Sequence, residues 1–378
     1  MITVRRVITN VDWSDFIELQ WDLYCGDKIW VPPLKSAVRD ILDVNKNPFF
    51  RHASMCAWIA LNDGRRLGRV ACIVDDRHNG VHGEDTAFFG FFECVDDQAV
   101  AQALMDAAFS WALERGMKLV RGPASPSTNH ECGLLIEGFE DPPAVMMTYN
   151  PPYYAKLVEG CGFRKAKDLL AYALDKDMKF SDKLLAQAEK LKLAGHITFR
   201  SINTREFDRE VGRMLEIYND AWEANWGFVP MDEREFRHMA REIKMIFDPR
   251  LILIAEVKGA AAGFALTLPD VNQAFAKVRD GKLFPTGLLK LLWHLKGPFK
   301  HNTVNRVRIL TLGIRRAYRE LGLGPMFYVE YFRRGQALGY ERGEASWILE
   351  DNKPMNAALR MMGARKSKIY RIYDRPLI

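Results

Sequence analysis

The stretch that decides the fold reads Arg306-Val-Arg-Ile-Leu-Thr-Leu-Gly-Ile-Arg-Arg-Ala-Tyr-Arg-Glu-Leu-Gly-Leu-Gly-Pro325. A strand-like run, Arg306–Leu312, leads into a basic turn, Arg319-Glu-Leu-Gly322-Leu-Gly324, and a helical pattern follows Gly324. A basic residue and two glycines between a strand and a helix let backbone N–H groups and a helix N-terminus receive phosphate oxygens. Glycine suits those positions because a side chain would block the approach. Six residues of RxxGxG form also describe a plain helix-entry turn, so the context matters: a strand Glu344–Leu349 and a helix beginning at Asn352 come next.

Reading outward, the pattern occurs twice. Asn352 leads through Met355 and Leu359 to Gly363-Ala364 and then to the aromatic strand Ile369–Tyr373. Asn150 leads through Tyr153, Tyr154 and Leu157 to Gly162-Phe163 and then to Leu170–Leu174. Self-similarity at so long a period reports duplicated architecture. The first half adds strands Ala57–Leu61, Gly68–Val74 and Thr86–Glu93, then a helix from about Gln98 to Arg115 stopped by Gly116. The second half adds helices over 206–246 and strands Leu251–Val257 and Gly263–Leu268. Between the halves, Phe180–Gly195 reads as a helix with Ser181 as cap and Leu184, Leu185, Ala188 and Leu191 as its apolar stripe. The expected domains are 1–178 and 197–378, both α/β, joined by a helix over 179–196.

Composition agrees with ordinary globular domains: 378 residues, 48% hydrophobic and 27% charged. Lys and Arg number 54 against 48 Asp and Glu, a net charge of +6. That mild excess permits anionic partners such as phosphorylated cofactors or acidic lipid head groups and does not indicate nucleic acid. All six cysteines lie in the first half, with no CxxC pair and no zinc-type Cys/His spacing. We expect reduced thiols, no metal, and a cytoplasmic protein. The N-terminus lacks the apolar run of a signal peptide, and no window approaches a membrane span.

The order strand, RxxGxG turn, helix, strand, then Asn leading through a helix to a Gly pair, resembles the acyl-CoA-dependent N-acyltransferases of the GNAT superfamily. The likeness covers 197–378, and the echo at Asn150 makes 1–178 a degenerate second copy that lacks the RxxGxG turn. The resemblance implies two tandem domains, each a mixed, splayed sheet flanked by helices, with acyl-CoA as co-substrate. It implies a pantetheine arm running along Thr311, Leu312, Gly313 and Ile314. Arg319, Gly322, Gly324 and Pro325 would surround the diphosphate, and Asn352 would face the arm. Seven positions after that Asn the superfamily often has a Tyr that protonates the leaving thiolate; here the residue is Leu359, which cannot.

Attack of an amine on a thioester needs a base and donors for the developing oxyanion. Glu350, at the end of a strand, is the first candidate base; alternatively it caps the next helix with Asp351. Tyr328 is a candidate donor to sulfur or a packing residue. His130, in the polar loop Ser125–Gly133, is a candidate cleft residue or a structural one.

The insertion 271–305 is rich in Leu, with Lys282, Lys290, Lys296 and Lys300 and the ring of Trp293. That composition suits contact with a membrane surface through 282–300, at the inner membrane face, or a lid over a long chain. A helix buried in the core is the alternative. Trp222, Asn225 and Trp226 suggest walls for a large apolar acceptor. Together these features resemble a proteobacterial group of double acyltransferase-like proteins that includes the bacterial ceramide synthases, which implies fatty acyl transfer to a long-chain base such as 3-oxosphinganine. Two other readings stay open: an acetyltransferase of a small amine, amino acid or peptide, and a non-catalytic binding protein on this scaffold.

Overall fold

The computed structural model describes residues 1–193, 195–296 and 303–377. The chain forms two compact α/β units, each assembled from separated segments. One comprises Met1–Leu169, Phe275–Leu291 and Lys368–Ile378; the other comprises Leu170–Ala274 and Leu292–Ser367.

In the first unit, strands Thr3–Arg6, Ala53–Asn62, Arg65–Asp75, Thr86–Cys94 and Leu119–Gly122 lie side by side in chain order. Neighbours are antiparallel until the last pair, where Thr86–Cys94 and Leu119–Gly122 run parallel around the helix Gln98–Leu113. Leu104, Ala108 and Trp111 recur at helical spacing and pack on Val70, Cys72 and Phe89 of the sheet. The chain's end supplies the next strand, with Tyr373 opposite Gly122.

The second unit repeats this order. Ile197–Ser201, Ile252–Val257, Ala260–Pro269 and Arg306–Ile314 are antiparallel neighbours, and Arg342–Leu349 joins in parallel after the helix Leu323–Ala337. Each repeat then closes with a helix, a left-handed glycine and a strand of twelve residues. The glycines are Gly162 (φ +88°) and Gly363 (φ +86°), and the strands are Arg164–Asp175 and Arg365–Pro376. Left-handed backbone after a helix costs glycine least.

The closing strands explain why the units part where they do. Arg164–Asp175 gives its first six residues to the first unit and its last six to the second, while Arg365–Pro376 starts in the second unit and ends in the first. A linear cut at 178 and 196 therefore does not coincide with the compact units. The expected joining helix forms as Asp182–Leu193, and its Leu184, Leu185 and Leu191 pack on the cluster of Leu323, Met326 and Phe327 in the second unit. The 275–291 part of the insertion belongs to the first unit, where Trp21 Nε1 donates to the Arg279 carbonyl at 3.0 Å and Lys35 N–H to the Gly281 carbonyl at 3.0 Å. Lys300 falls outside the described residues. Among those described, no helix is long and apolar enough to cross a membrane.

Candidate active site

The second unit's sheet forks. Arg306–Ile314 and Arg342–Leu349 pair at four positions only, from Arg306 opposite Arg342 to Ile309 opposite Ala345. On its other edge the same strand slips register: Thr311 opposes Leu266 and Ile309 opposes Thr267, leaving Leu310 as the extra residue of a β-bulge. A bulge bends a strand and sharpens its twist, and this one lies where the parallel pair separates. Thr311, Leu312, Gly313 and Ile314 pair with Ala260–Pro269 on one side and present their other backbone edge to the fork. Gly313 is required there, because a Cβ would stand 2.2 Å from the ring of Trp222.

Beyond the fork, the 3-10 helix Arg316–Leu321 ends at Gly322 (φ +74°), and Leu323–Ala337 starts with no side-chain cap. The N–H groups of Leu323, Gly324 and Met326 are those an anion at a helix start would use; Pro325 has none to give. A Cβ on Gly324 would meet only Ile314 Cδ1, at 3.8 Å. Arg315 pairs with Glu216 at 2.5 Å, and Arg316 pairs with Glu223 and, through its N–H, with Asp220. Arg319 instead rests on carbonyls, donating from Nη2 to Ala221 O at 2.8 Å. The end of helix Phe207–Trp222 is thereby fastened to the turn. The first unit differs at the same place: helix Gln98–Leu113 is capped by Asp97, whose carboxylate accepts the Ala99 N–H at 2.8 Å.

Across the fork, Glu350 is exposed at the turn after Arg342–Leu349. The cap of the next helix, Lys353–Met361, is Asn352, whose Oδ1 accepts the Met355 N–H at 3.2 Å. Asn356 is buried; its amide donates to Leu349 O at 2.9 Å while its Oδ1 accepts from Tyr172 at 2.9 Å. It thus holds the tip of the strand in place. The Tyr328 hydroxyl donates to Met355 Sδ, and burial pushes its pKa well above the ordinary tyrosine value. Such a hydroxyl is a weaker acid than a free tyrosine. Leu359 is fully buried.

The Trp222 ring lies 4.8 Å from that of Tyr218 at a tilt of 31° and lies over Gly313, so this candidate wall does meet the strand at the fork. Asn225 and Trp226 are half-buried in the turn that follows helix Phe207–Trp222. Trp293 is 60% exposed on the helix Gly287–Lys296, alongside exposed Leu289 and Leu292. His130 belongs to the first unit, where its Nδ1 lies 2.8 Å from Ser127 Oγ and its ring meets Phe49 edge-on. The three candidate catalytic groups are therefore divided, with Glu350 and Tyr328 in the second unit.

Sequence reasoning missed three features. Asn356 had a signal, since it follows Asn352 by one helical turn and shares its face. The Leu310 bulge had none. A buried polar chain also spans the paired part of the fork: Arg308 Nε donates to Ser346 Oγ at 3.1 Å, and Ser346 Oγ donates to Glu344 Oε1 at 2.9 Å. Buried charge needs such partners. Among the described residues, no group of three or more His, Cys, Asp and Glu is placed to hold a metal ion.

No protein-family model matches the chain. The chain is 37% identical over 382 residues to Protein YghO of Escherichia coli (strain K12), covering 99% of this chain and 95% of that one. It is 36% identical over 381 residues to the bacterial ceramide synthase of Caulobacter vibrioides (strain NA1000 / CB15N), covering 100% and 98%. Among solved structures it is similar to a tandem GNAT protein from the clavulanic acid biosynthesis pathway, with a TM-score of 0.55 at 13% identity and coverage of 100% and 99%. It is also similar to a GCN5-related N-acetyltransferase from Sphaerobacter thermophilus, with a TM-score of 0.52 at 14% identity and coverage of 100% and 96%. The structural likenesses concern fold, and the full-length sequence relatives carry the family: the chain is an acyltransferase and belongs to the tandem GNAT N-acyltransferases that include the Caulobacter bacterial ceramide synthase.

Proposed function

We propose that the protein transfers a fatty acyl group from acyl-CoA to the amine of a long-chain base such as 3-oxosphinganine. The observation that carries this reading is the uncapped helix start after Gly322, set beside an open fork between two parallel strands. The full-length likeness to a bacterial ceramide synthase supports the choice of acceptor.

In this reading the Leu323 and Gly324 N–H groups and Arg319 receive the diphosphate, with Gly322 and Pro325 shaping the turn. The backbone of Thr311–Ile314 pairs with the pantetheine arm, and Asn352 faces it from the other branch. The amine nitrogen attacks the thioester carbonyl, a C–N bond forms, the C–S bond breaks, and the ammonium proton passes to Glu350. The backbone at the Leu310 bulge is the natural donor to the developing oxyanion, because it is fixed before the reaction begins. The thiolate takes its proton from water, with Tyr328 contributing a wall and no proton. Trp222, Asn225 and Trp226 would border the acceptor. The exposed Phe284, Leu289 and Trp293, with Lys282 and Lys290 beside them in the chain, suit contact with an anionic membrane surface from the cytoplasmic side.

The test is thiol release by the purified protein with acyl-CoA donors from acetyl to stearoyl, with and without 3-oxosphinganine, and products identified by mass spectrometry. Release that requires both a long donor and the base is the expected result. Release from acetyl-CoA alone, with small amines accepted, would overturn it.

A further inference from the structure

We propose that the alkyl chain of the acyl donor runs from the fork into an apolar pocket, with a cavity volume of about 80 Å³, that lies between the sheet and two helices of the second unit. This rests on the acyltransferase reading above and names where its donor chain goes. Ile309 is the last paired residue before the strands part, and it lines the pocket together with Tyr328 and Leu359. The pocket therefore touches the place where the thioester would lie.

From there three elements lead the same way. Along the strand the lining passes from Ile309 back to Val307, and along the parallel neighbour it reaches Gly343 and Arg342. The helix Leu323–Ala337, which joins these two parallel strands, runs opposite to them, and its lining residues pass from Tyr328 through Phe332 to Gln336. Eight residues of helix span about 12 Å, so the lining describes a passage rather than a dimple. Leu359 of the helix Lys353–Met361 and Met362 at its C-terminal cap close it, both buried. The walls are apolar, and the exposed Lys176, Gln336, Glu341 and Arg342 stand at the rim.

Interiors are packed densely, with few voids larger than a water molecule. A space of this size between two helices and a sheet is therefore a site to be filled, and its apolar walls select hydrocarbon. A donor chain fits better than the acceptor's chain because the lining includes Ile309, two residues before the strand segment assigned above to the thioester arm.

Gly335 gives the means of testing this. It lines the pocket, has ordinary helical backbone, and a Cβ there meets nothing within 4 Å. In Gly335→Phe the added ring fills the passage without displacing the backbone. The experiment measures binding of CoA and of the unreactive thioethers S-ethyl-, S-octyl- and S-dodecyl-CoA to the full chain by calorimetry. Each methylene held by an apolar wall tightens binding about fourfold. The wild type should bind S-dodecyl-CoA at least tenfold more tightly than S-ethyl-CoA, Gly335→Phe should lose that gain, and both should bind CoA alike. Phe332→Ala, which widens the passage, should extend the gain to longer chains and covers the case in which Gly335→Phe does not fold. A gain that survives in Gly335→Phe overturns the proposal while leaving the acyltransferase reading intact. So does a Gly335→Phe that weakens sphinganine binding and spares S-dodecyl-CoA, which would assign the pocket to the acceptor. Failure of wild type to bind CoA at all would overturn both.

Discussion

Gly324→Val isolates the diphosphate assignment. The position lies in the first turn of helix Leu323–Ala337, its backbone is not left-handed, and an added Cβ would meet only Ile314 Cδ1 at 3.8 Å. Valine and glycine differ in helix propensity by roughly 0.5 kcal/mol or less, so stability should hardly change. Gly322 is a worse choice: its φ of +74° would strain any replacement and confuse folding with binding. Two branched methyls at 324 would push a diphosphate away from the N–H groups of Leu323 and Gly324. Charge-assisted hydrogen bonds contribute about 1.5–3 kcal/mol each, so losing two weakens binding by about 3 kcal/mol or more, a factor on the order of 10². Calorimetry with CoA reads the affinity and thermal melting the fold. An unchanged melt with CoA affinity within threefold of wild type would refute the assignment of this turn.

Glu350→Gln should lower turnover by a factor on the order of 10² with unchanged CoA affinity if the carboxylate is the base; near-normal turnover would return Glu350 to the surface. Asn356→Ala leaves Leu349 O and the Tyr172 hydroxyl without this partner and should cost about 2 kcal/mol in urea unfolding, and it should also slow turnover because the strand tip is released. Leu289→Asp with Trp293→Ala should abolish sedimentation with phosphatidylglycerol vesicles while preserving activity on a dispersed substrate; undiminished sedimentation would remove this helix from the membrane contact. Burial works to raise the pKa of Asp168, but hydrogen bonds from Arg371 and Lys165 outweigh it and leave the pKa lowered. That stabilisation is present above the unfolded pKa of about 4 and is lost as pH falls through the lower folded value. Asp168→Asn should therefore cost about 2 kcal/mol at pH 7 and show a shallower acid dependence than wild type in urea titrations at pH 7 and pH 3.

Local chemistry made much of this readable in advance. A strand, a glycine turn and a helix in sequence state their own backbone requirements, and Gly322 adopts the left-handed conformation that such a turn needs. The Asn150 and Asn352 echo appears as two helices, each followed by a left-handed glycine and a strand of twelve residues. What could not be read depends on distant partners. No local pattern says which sheet a strand such as Arg365–Pro376 will join, and here it begins in one unit and ends in the other. The bulge at Leu310 exists only relative to Leu266 and Thr267. Asn352 carries both a motif and a capping preference, and its side-chain oxygen serves the cap. The apolar passage past Val307 and Phe332 is a property of spacing between elements, which composition does not encode.

The two helix starts show how a duplicated fold divides its duties. In the first unit the Asp97 carboxylate accepts the Ala99 N–H at the start of helix Gln98–Leu113, and its charge repels a phosphate. In the second unit glycine stands at the equivalent position and gives the helix start no side-chain cap. A helix start cannot serve its own cap and an outside anion together, so in the proposed reading the diphosphate goes to the second unit's uncapped helix. Within the first unit, Arg121 grips Asp374 through two hydrogen bonds at 2.8 and 2.9 Å, and Arg371 grips Asp168 at 2.8 and 3.1 Å. These pairs anchor the strand that begins, at Arg365, directly after the helix whose first turn carries Asn352 and Asn356.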